Sequence, residues 1–360
     1  MKSVLSLFLL FSVPQTVLTY GVKIPKTNAI EQLAKNTERI NKRGSNNRIV
    51  GGIEVEISEY SSAASYLTPL DGGVTCTGVF ISKGVVLTAA HCLYNQTTGV
   101  VPAKNVRVSG GTKLIVYESP KNYTVQKVMA HPSFDLLTGK NDIALLFLSN
   151  DITDPSITFA KIYNNTITDD TLVEAAGWGY TTKDGSTNVS DVLKAVPIDI
   201  SSSQKCNDNY QFWESNNGSS ICTMIKNGED TCPGDSGGPL YFTGDSSKPI
   251  VGLTSFGSGS ANSTNICGID GNTSFYTNAQ KYIDWILKNT QIDAKDLVYK
   301  TSLSETKPKP SRTSMSKTNS NPSRVPKTEA QAKPTRVPKT EAQAKPSKAP
   351  KTKAQAKPTR

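Results

Sequence analysis

Between residues 49 and about 277 the chain is built from short alternating runs rich in Val, Ile, Thr, Gly and Asn, broken at close intervals by turn residues. Apolar residues at a period of two bury one face of a strand, and turn signals this frequent leave little room for helices. One helical pattern stands out, from Asn278 to Asn289, where Tyr282, Trp285 and Ile286 fall on one face and are expected to pack. An all-β domain over residues 49–290 closed by a C-terminal helix follows.

The flanks have other compositions. Residues 1–20 carry Lys2, the apolar run Val4 to Val13 and then Pro14, the pattern of a secretory signal peptide and too short for a membrane span. Residues 21–48 are polar, with a possible short helix around Ala29 to Ile40 and a dibasic Lys42-Arg43, and suit a propeptide. Residues 291–360 turn to Lys, Pro, Thr, Ser and Ala, and a twelve-residue unit recurs at Arg324–Thr335, Arg336–Ser347 and Lys348–Thr359. No aromatic residue follows Tyr299, so this tail cannot build a core and is expected to be disordered. Residues 301–360 hold fifteen Lys or Arg against three acids, a net of +12, whereas residues 49–300 carry about −8. The overall +10 therefore belongs to the flanks. A flexible cationic tail suits an anionic surface or polymer, or else serves as a solvated spacer. Nucleic acid is disfavoured, because no aromatic residues interleave for stacking.

The chemistry concentrates in Thr231 to Leu240, where Ser236 lies between Asp235 and two glycines. A serine hydroxyl becomes a nucleophile only when a base takes its proton and donors stabilise the oxyanion. The chain has only two histidines. His91, in Thr-Ala-Ala-His-Cys, follows the buried-strand run Val79 to Leu87, and Cys92 beside it can anchor the turn. His131 precedes a proline in a loop and keeps a structural reading. Asp142 opens the apolar run Ile143 to Leu148, and an aspartate there needs a partner such as an imidazolium.

Ile49-Val50-Gly51-Gly52, Thr88 to Cys92, Asp142 to Leu145 and Gly234 to Pro239, in that order, resemble the trypsin-like serine proteases over about residues 49–290. The resemblance implies two antiparallel six-stranded β-barrels with the site in the cleft between them. It also implies that Ser236 attacks the peptide carbonyl, His91 shuttles the proton, Asp142 orients the imidazole and the N–H groups of Gly234 and Ser236 form an oxyanion hole. Arg48 would precede an activation cut, after which the Ile49 ammonium would pair with Asp235. The implied substrates are proteins or peptides, with no cofactor. Asp230, six residues before Ser236, matches the acid that selects Lys or Arg, and Ser255, Phe256 and Gly257 match the pocket wall. Ser274 stands where trypsin has glycine and Phe256 where tryptophan is usual, so basic specificity is where this chain departs from the pattern. A non-catalytic relative acting as an inhibitor or surface-binding protein is the alternative class, and a wall-bound adhesion protein using the tail is another. The intact triad argues for catalysis. Trypsin-type bonds in the tail, such as Arg324-Val325 and Arg336-Val337, would also make it a substrate of its own enzyme.

Six cysteines behind a signal peptide imply disulfides, with fifteen possible connectivities. The resemblance selects Cys76 with Cys92, Cys206 with Cys222 and Cys232 with Cys267. No metal site is expected. The family's calcium loop would span Gly110 to Lys121, where Glu118 is the only acid. Glycosylation sequons begin at Asn95, Asn122, Asn164, Asn188, Asn217, Asn262 and Asn272, in keeping with secretion to the extracellular space.

Overall fold

The computed structural model describes residues 50–70, 73–258 and 264–300. The segments expected to be a signal peptide and a propeptide, Arg48 and Ile49, Asn262 and the chain from residue 301, with its repeats, lie outside them.

Six strands make the first barrel: β1 (Ala63–Thr68), β2 (Val74–Ser82), β3 (Val85–Thr88), β4 (Arg107–Gly110), β5 (Asn122–Ala130) and β6 (Ala144–Leu148). They close antiparallel in the order β1-β2-β3-β6-β5-β4. Six more make the second: β7 (Val173–Gly177), β8 (Lys194–Ile200), β9 (Ser220–Met224), β10 (Pro239–Phe242), β11 (Ile250–Gly257) and β12 (Thr273–Asn278). Their ring runs β7-β8-β9-β12-β11-β10 and returns to β7. This is the fold the sequence pattern and the resemblance predict.

Several strands are buried on both faces, which is why they read as continuous apolar runs. Along β3, Val86 points into the first barrel while Val85 and Leu87 face a second core shared by the two barrels. Along β10, Leu240 fills the second barrel and Tyr241 joins the shared core. Trp178 is fully buried in that shared layer, and its Nε1–H donates to the Lys113 carbonyl at 2.8 Å. The barrels therefore share one apolar interface, and the cleft at its edge is held in fixed geometry.

The helical pattern after β12 resolves into two pieces. The Asn278 side chain accepts the Gln280 N–H at 3.1 Å and caps a 3₁₀ turn, Ala279–Tyr282, before an α-helix at Ile283–Asn289. Tyr282 and Ile286 are buried, as their spacing predicts. A six-residue helix at Gln204–Asn209, too short for its periodicity to be legible, was not expected.

Order also continues past residue 290, into what composition assigns to the tail. A helical turn at Ala294–Leu297 seats Leu297 in the shared core, and Val298–Tyr299 pairs in parallel with Ile162–Tyr163. The Tyr299 ring stacks on Tyr163 at 6.0 Å, and its hydroxyl donates to Asp245 Oδ2 at 3.0 Å. The Lys- and Pro-rich composition begins only after these apolar residues, so the compositional boundary fell ten residues early. Among the described residues no helix is long and apolar enough to cross a membrane.

Candidate active site

His91 and Asp142 come from the mouths of neighbouring strands. β3 and β6 pair with Thr88 opposite Ala144, so the residue three past the end of one and the residue two before the start of the other emerge on the same side. His91 opens a 3₁₀ turn, His91–Leu93, that the Cys76–Cys92 disulfide ties back to β2. Asn141, with φ of 55°, turns the chain immediately before Asp142. The Asp142 carboxylate is 1 % exposed and fully engaged. Its Oδ1 accepts the His91 backbone N–H at 2.9 Å, and its Oδ2 lies 2.7 Å from His91 Nδ1.

The second barrel grips the same acid. The Ser255 hydroxyl on β11 donates to Asp142 Oδ2 at 2.5 Å, and the Thr277 hydroxyl on β12 donates to the Asp142 carbonyl at 2.8 Å. Burial alone would raise the Asp142 pKa, but the His91 charge and hydrogen bonds from His91 and Ser255 hold it below the ordinary carboxylate range. For His91, burial favours the neutral ring, yet the Asp142 charge and hydrogen bond outweigh it and the pKa is raised.

Ser236 lies on the loop between β9 and β10, half-buried. Gly234 has φ of 100°, and a Cβ there would sit 2.8 Å from the Gly179 Cα, so backbone space as well as conformation demands glycine. The Ser236 carbonyl accepts the Thr77 N–H at 2.9 Å, fixing the loop to β2. Cys92 Sγ touches both His91 Nε2 at 3.7 Å and the Ser236 carbonyl at 3.6 Å. As a disulfide sulfur it has no proton to donate, so it is a spacer that brings the histidine turn against the serine loop. The N–H groups of Gly234 and Ser236 donate to nothing among the described residues. Unspent amides beside a hydroxyl can stabilise an oxyanion.

Two further carboxylates lie beneath this loop. Asp235 is buried, with Oδ1 accepting the Gly179 N–H at 2.7 Å and Oδ2 the Cys232 N–H at 3.0 Å. Burial pushes its pKa up to about 7 despite those bonds, and the nearby Asp230 charge adds to the rise. Asp230 is 2 % exposed and borders a cavity of about 160 Å³ that Ser236, Ser255, Phe256, Gly257 and Cys267 also line. Burial pushes Asp230 to about 6, opposed by bonds from Gly268, Ser274 and Thr231 and by the Lys183 charge.

A second, larger cavity of about 630 Å³ adjoins His91 and Asp142, with Leu137, Tyr210, Phe212 and Phe256 among its walls. Ser255 and Phe256 border both cavities, so they form the partition. A nucleophile candidate with a base, an orienting acid, free amide donors and adjoining cavities for side chains is the equipment of acyl transfer. A sequence model of the family described as "Trypsin" matches residues 49–286.

The chain belongs to the trypsin family. It is a serine-type endopeptidase by that membership. Trypsin-1 of Astacus astacus is 31% identical over 248 residues, covering 67% of this chain and 99% of the relative. Trypsin of Saccharopolyspora erythraea is 30% identical over 250 residues, covering 68% and 99%. The CLIP domain-containing serine protease HP8 of Bombyx mori is 32% identical over 271 residues, covering 68% and 70%.

All three disulfides expected from the trypsin pattern are present: Cys76–Cys92, Cys206–Cys222 and Cys232–Cys267. Among the described residues no three of His, Cys, Asp and Glu converge as a metal-binding set. At the loop read for calcium, the Lys121 ammonium itself bonds the Gly111 carbonyl at 2.9 Å, Ser156 Oγ at 3.0 Å and Asp154 Oδ2 at 2.7 Å. A tethered cation thus ties that loop to the neighbouring segment that carries Asp154 and Ser156. His131 packs against Tyr282 and Trp285, in keeping with its structural reading. The grip of Ser255 and Thr277 on Asp142 was not legible in the sequence, because nothing in either short strand marks which hydroxyl faces the acid.

Of the sequon asparagines, Asn122, Asn164 and Asn188 are exposed, and Asn95, Asn217 and Asn272 are half-buried. Asn217 is committed to structure, exchanging two 2.8 Å bonds with the backbone of Ile167.

Proposed function

We propose that this endopeptidase cleaves protein and peptide substrates after Lys or Arg, with Ser236 as nucleophile, His91 as general base and acid, and Asp142 as the group that orients and stabilises the imidazolium. In this reading the Gly234 and Ser236 amides bind the oxyanion. The observation that carries the specificity is the buried Asp230 carboxylate, bordering the cavity that Ser236 also lines. A carboxylate buried there is best satisfied by a substrate cation, and a neutral side chain leaves it without one.

We further propose activation by a cut after Arg48. Val50, the second residue after that bond, is buried against the Cys232–Cys267 disulfide, and its carbonyl accepts the Asp230 N–H at 3.3 Å. Val50 is thus tied to Asp230 and Cys232, and Cys232 in turn donates its N–H to Asp235 Oδ2 at 3.0 Å. A new Ile49 ammonium would give the buried Asp235 carboxylate a charge partner and draw its raised pKa down, at the cost of burying both ions. Three disulfides and exposed sequons at Asn122, Asn164 and Asn188 support secretion, and the +12 tail supports retention on an anionic surface.

The test uses peptides that differ only in Lys, Arg, Phe or Ala before the cut, offered to the chain beginning at Ile49 and to its Ser236→Ala form. Cleavage after Lys or Arg that vanishes in the variant is expected. Cleavage confined to Phe or Ala peptides overturns the pocket assignment.

A further inference from the structure

The geometry points to Ser274 as a positioning residue that tilts the specificity pocket toward lysine over arginine, an inference that rests on the reading of Asp230 as the pocket acid. The basis is the count of lone pairs. A carboxylate offers about four acceptor positions, two on each oxygen. On Asp230, Oδ1 accepts both the Thr231 N–H at 2.8 Å and the Ser274 hydroxyl at 2.7 Å. Oδ2 accepts the Gly268 N–H at 2.9 Å. Three positions are taken and the fourth, on Oδ2, is open.

A guanidinium gains its advantage over an ammonium from the side-by-side fork, two parallel N–H···O bonds that use one lone pair on each oxygen. Here Oδ1 is saturated, so the fork cannot form without displacing a bond already made. An ammonium is a compact charge with three rotatable donors and loses nothing by meeting a single oxygen. The cavity of about 160 Å³ reinforces this preference, because the planar guanidinium is the bulkier head group.

Ser274 is well placed for this role. It is 3 % exposed on β12, opposite Gly257 of the pocket wall and Thr223 of β9, and the Thr223 hydroxyl donates to its carbonyl at 3.1 Å. The side chain is not itself a wall of the cavity, so it acts through Asp230. The other titratable groups whose charge couples to Asp230 are Lys183, Asp235 and Tyr276. Each is left in place by a change at Ser274. Removing the hydroxyl frees a lone pair on Oδ1 and also removes a bond that favours the ionised acid.

The experiment compares kcat/KM on two peptides identical except for Lys or Arg before the cut, for the full chain activated at Arg48 and for its Ser274→Ala and Ser274→Gly variants. The parent is expected to favour Lys by several-fold. Both variants should shift the Lys-to-Arg ratio toward Arg by about tenfold, chiefly through a lower KM for the Arg peptide. The acid limb of kcat/KM that reports Asp230 should move to higher pH in both. In variants whose melts match the parent, an equal change on both peptides that leaves the ratio unmoved would overturn the assignment, as would a parent that favours Arg. No cleavage after either residue, with Phe or Ala peptides still cut, would instead bring down the underlying reading of Asp230.

Discussion

Three buried carboxylates serve this site, and the two barrels treat them differently. Asp142, carried by the first barrel, has an imidazole 2.7 Å away and a pKa held low. Asp230 and Asp235, carried by the second, are bonded mainly by backbone amides, and burial raises them to about 6 and about 7. The fold itself supplies Asp142 with its partner, the His91 imidazole. Neither of the other two has a side-chain cation within bonding distance among the described residues; in the proposed function a substrate side chain would supply one to Asp230 and a chain terminus one to Asp235. Burying a carboxylate is costly unless it is paired, so an acid left in that condition marks a place where something binds.

The contrast can be broken most severely at Asp142. Asp142→Asn is expected to lower kcat by about ten-thousandfold. It should also shift the acid limb of kcat/KM to lower pH, because His91 is held above its ordinary 6.5 by that carboxylate and must be neutral to act as base. Stopped assays across pH 5 to 9 read both effects.

At Asp230 the loss should depend on the substrate. Asp230→Asn is expected to cut kcat/KM on Lys or Arg peptides by roughly 30-fold to a few thousandfold, the equivalent of about 2–5 kcal/mol for truncating one partner of a buried charge pair. Residual turnover of Phe or Ala peptides should stay flat or rise, which parallel progress curves would show.

At Asp235 the loss should depend on chain cutting. In the chain opened at Arg48, Asp235→Asn should lose about 3–5 kcal/mol of the ordering that completes the site, dropping activity by roughly 150-fold to a few thousandfold, while the unopened chain should hardly respond. The measurement is peptide turnover before and after the cut, in parent and variant.

The smallest effect is on stability. Asp235 has a folded pKa of about 7 against an ordinary 3.8, so the folded state binds the extra proton between those values. The unopened chain should therefore lose stability as pH climbs from about 4, with the loss complete above about 7, by an amount on the order of a few kcal/mol. Urea melts of the Ser236→Ala chain at pH 5 and pH 8 should show that trend, and the added Asp235→Asn change should reduce it, leaving the smaller part that Asp230, raised to about 6, contributes.

Much of this arrangement was legible in the sequence. The β-rich domain, the triad candidates, Asp230, Asp235 and the cysteine pairs all sit in motifs whose residue types constrain their chemistry. What escaped depends on facing, which a one-dimensional pattern does not carry. Ser255 was assigned to the pocket wall and also proves to hold Asp142. Ser274 was recognised only as a side chain in place of glycine, and its role emerges from the lone-pair count on Asp230. Residues 291–300 escaped because three apolar residues, Leu297, Val298 and Tyr299, decide their order, and composition averaged over a long tail hides them.

The most direct test of the account is covalent labelling with a serine-directed fluorophosphonate, read by peptide mass mapping. The chain opened at Arg48 should take up one label, on Ser236, and His91→Ala should suppress it. A label on any other serine, or none on an opened chain that is folded and disulfide-bonded, would contradict the assignment of Ser236, His91 and Asp142 as the catalytic group.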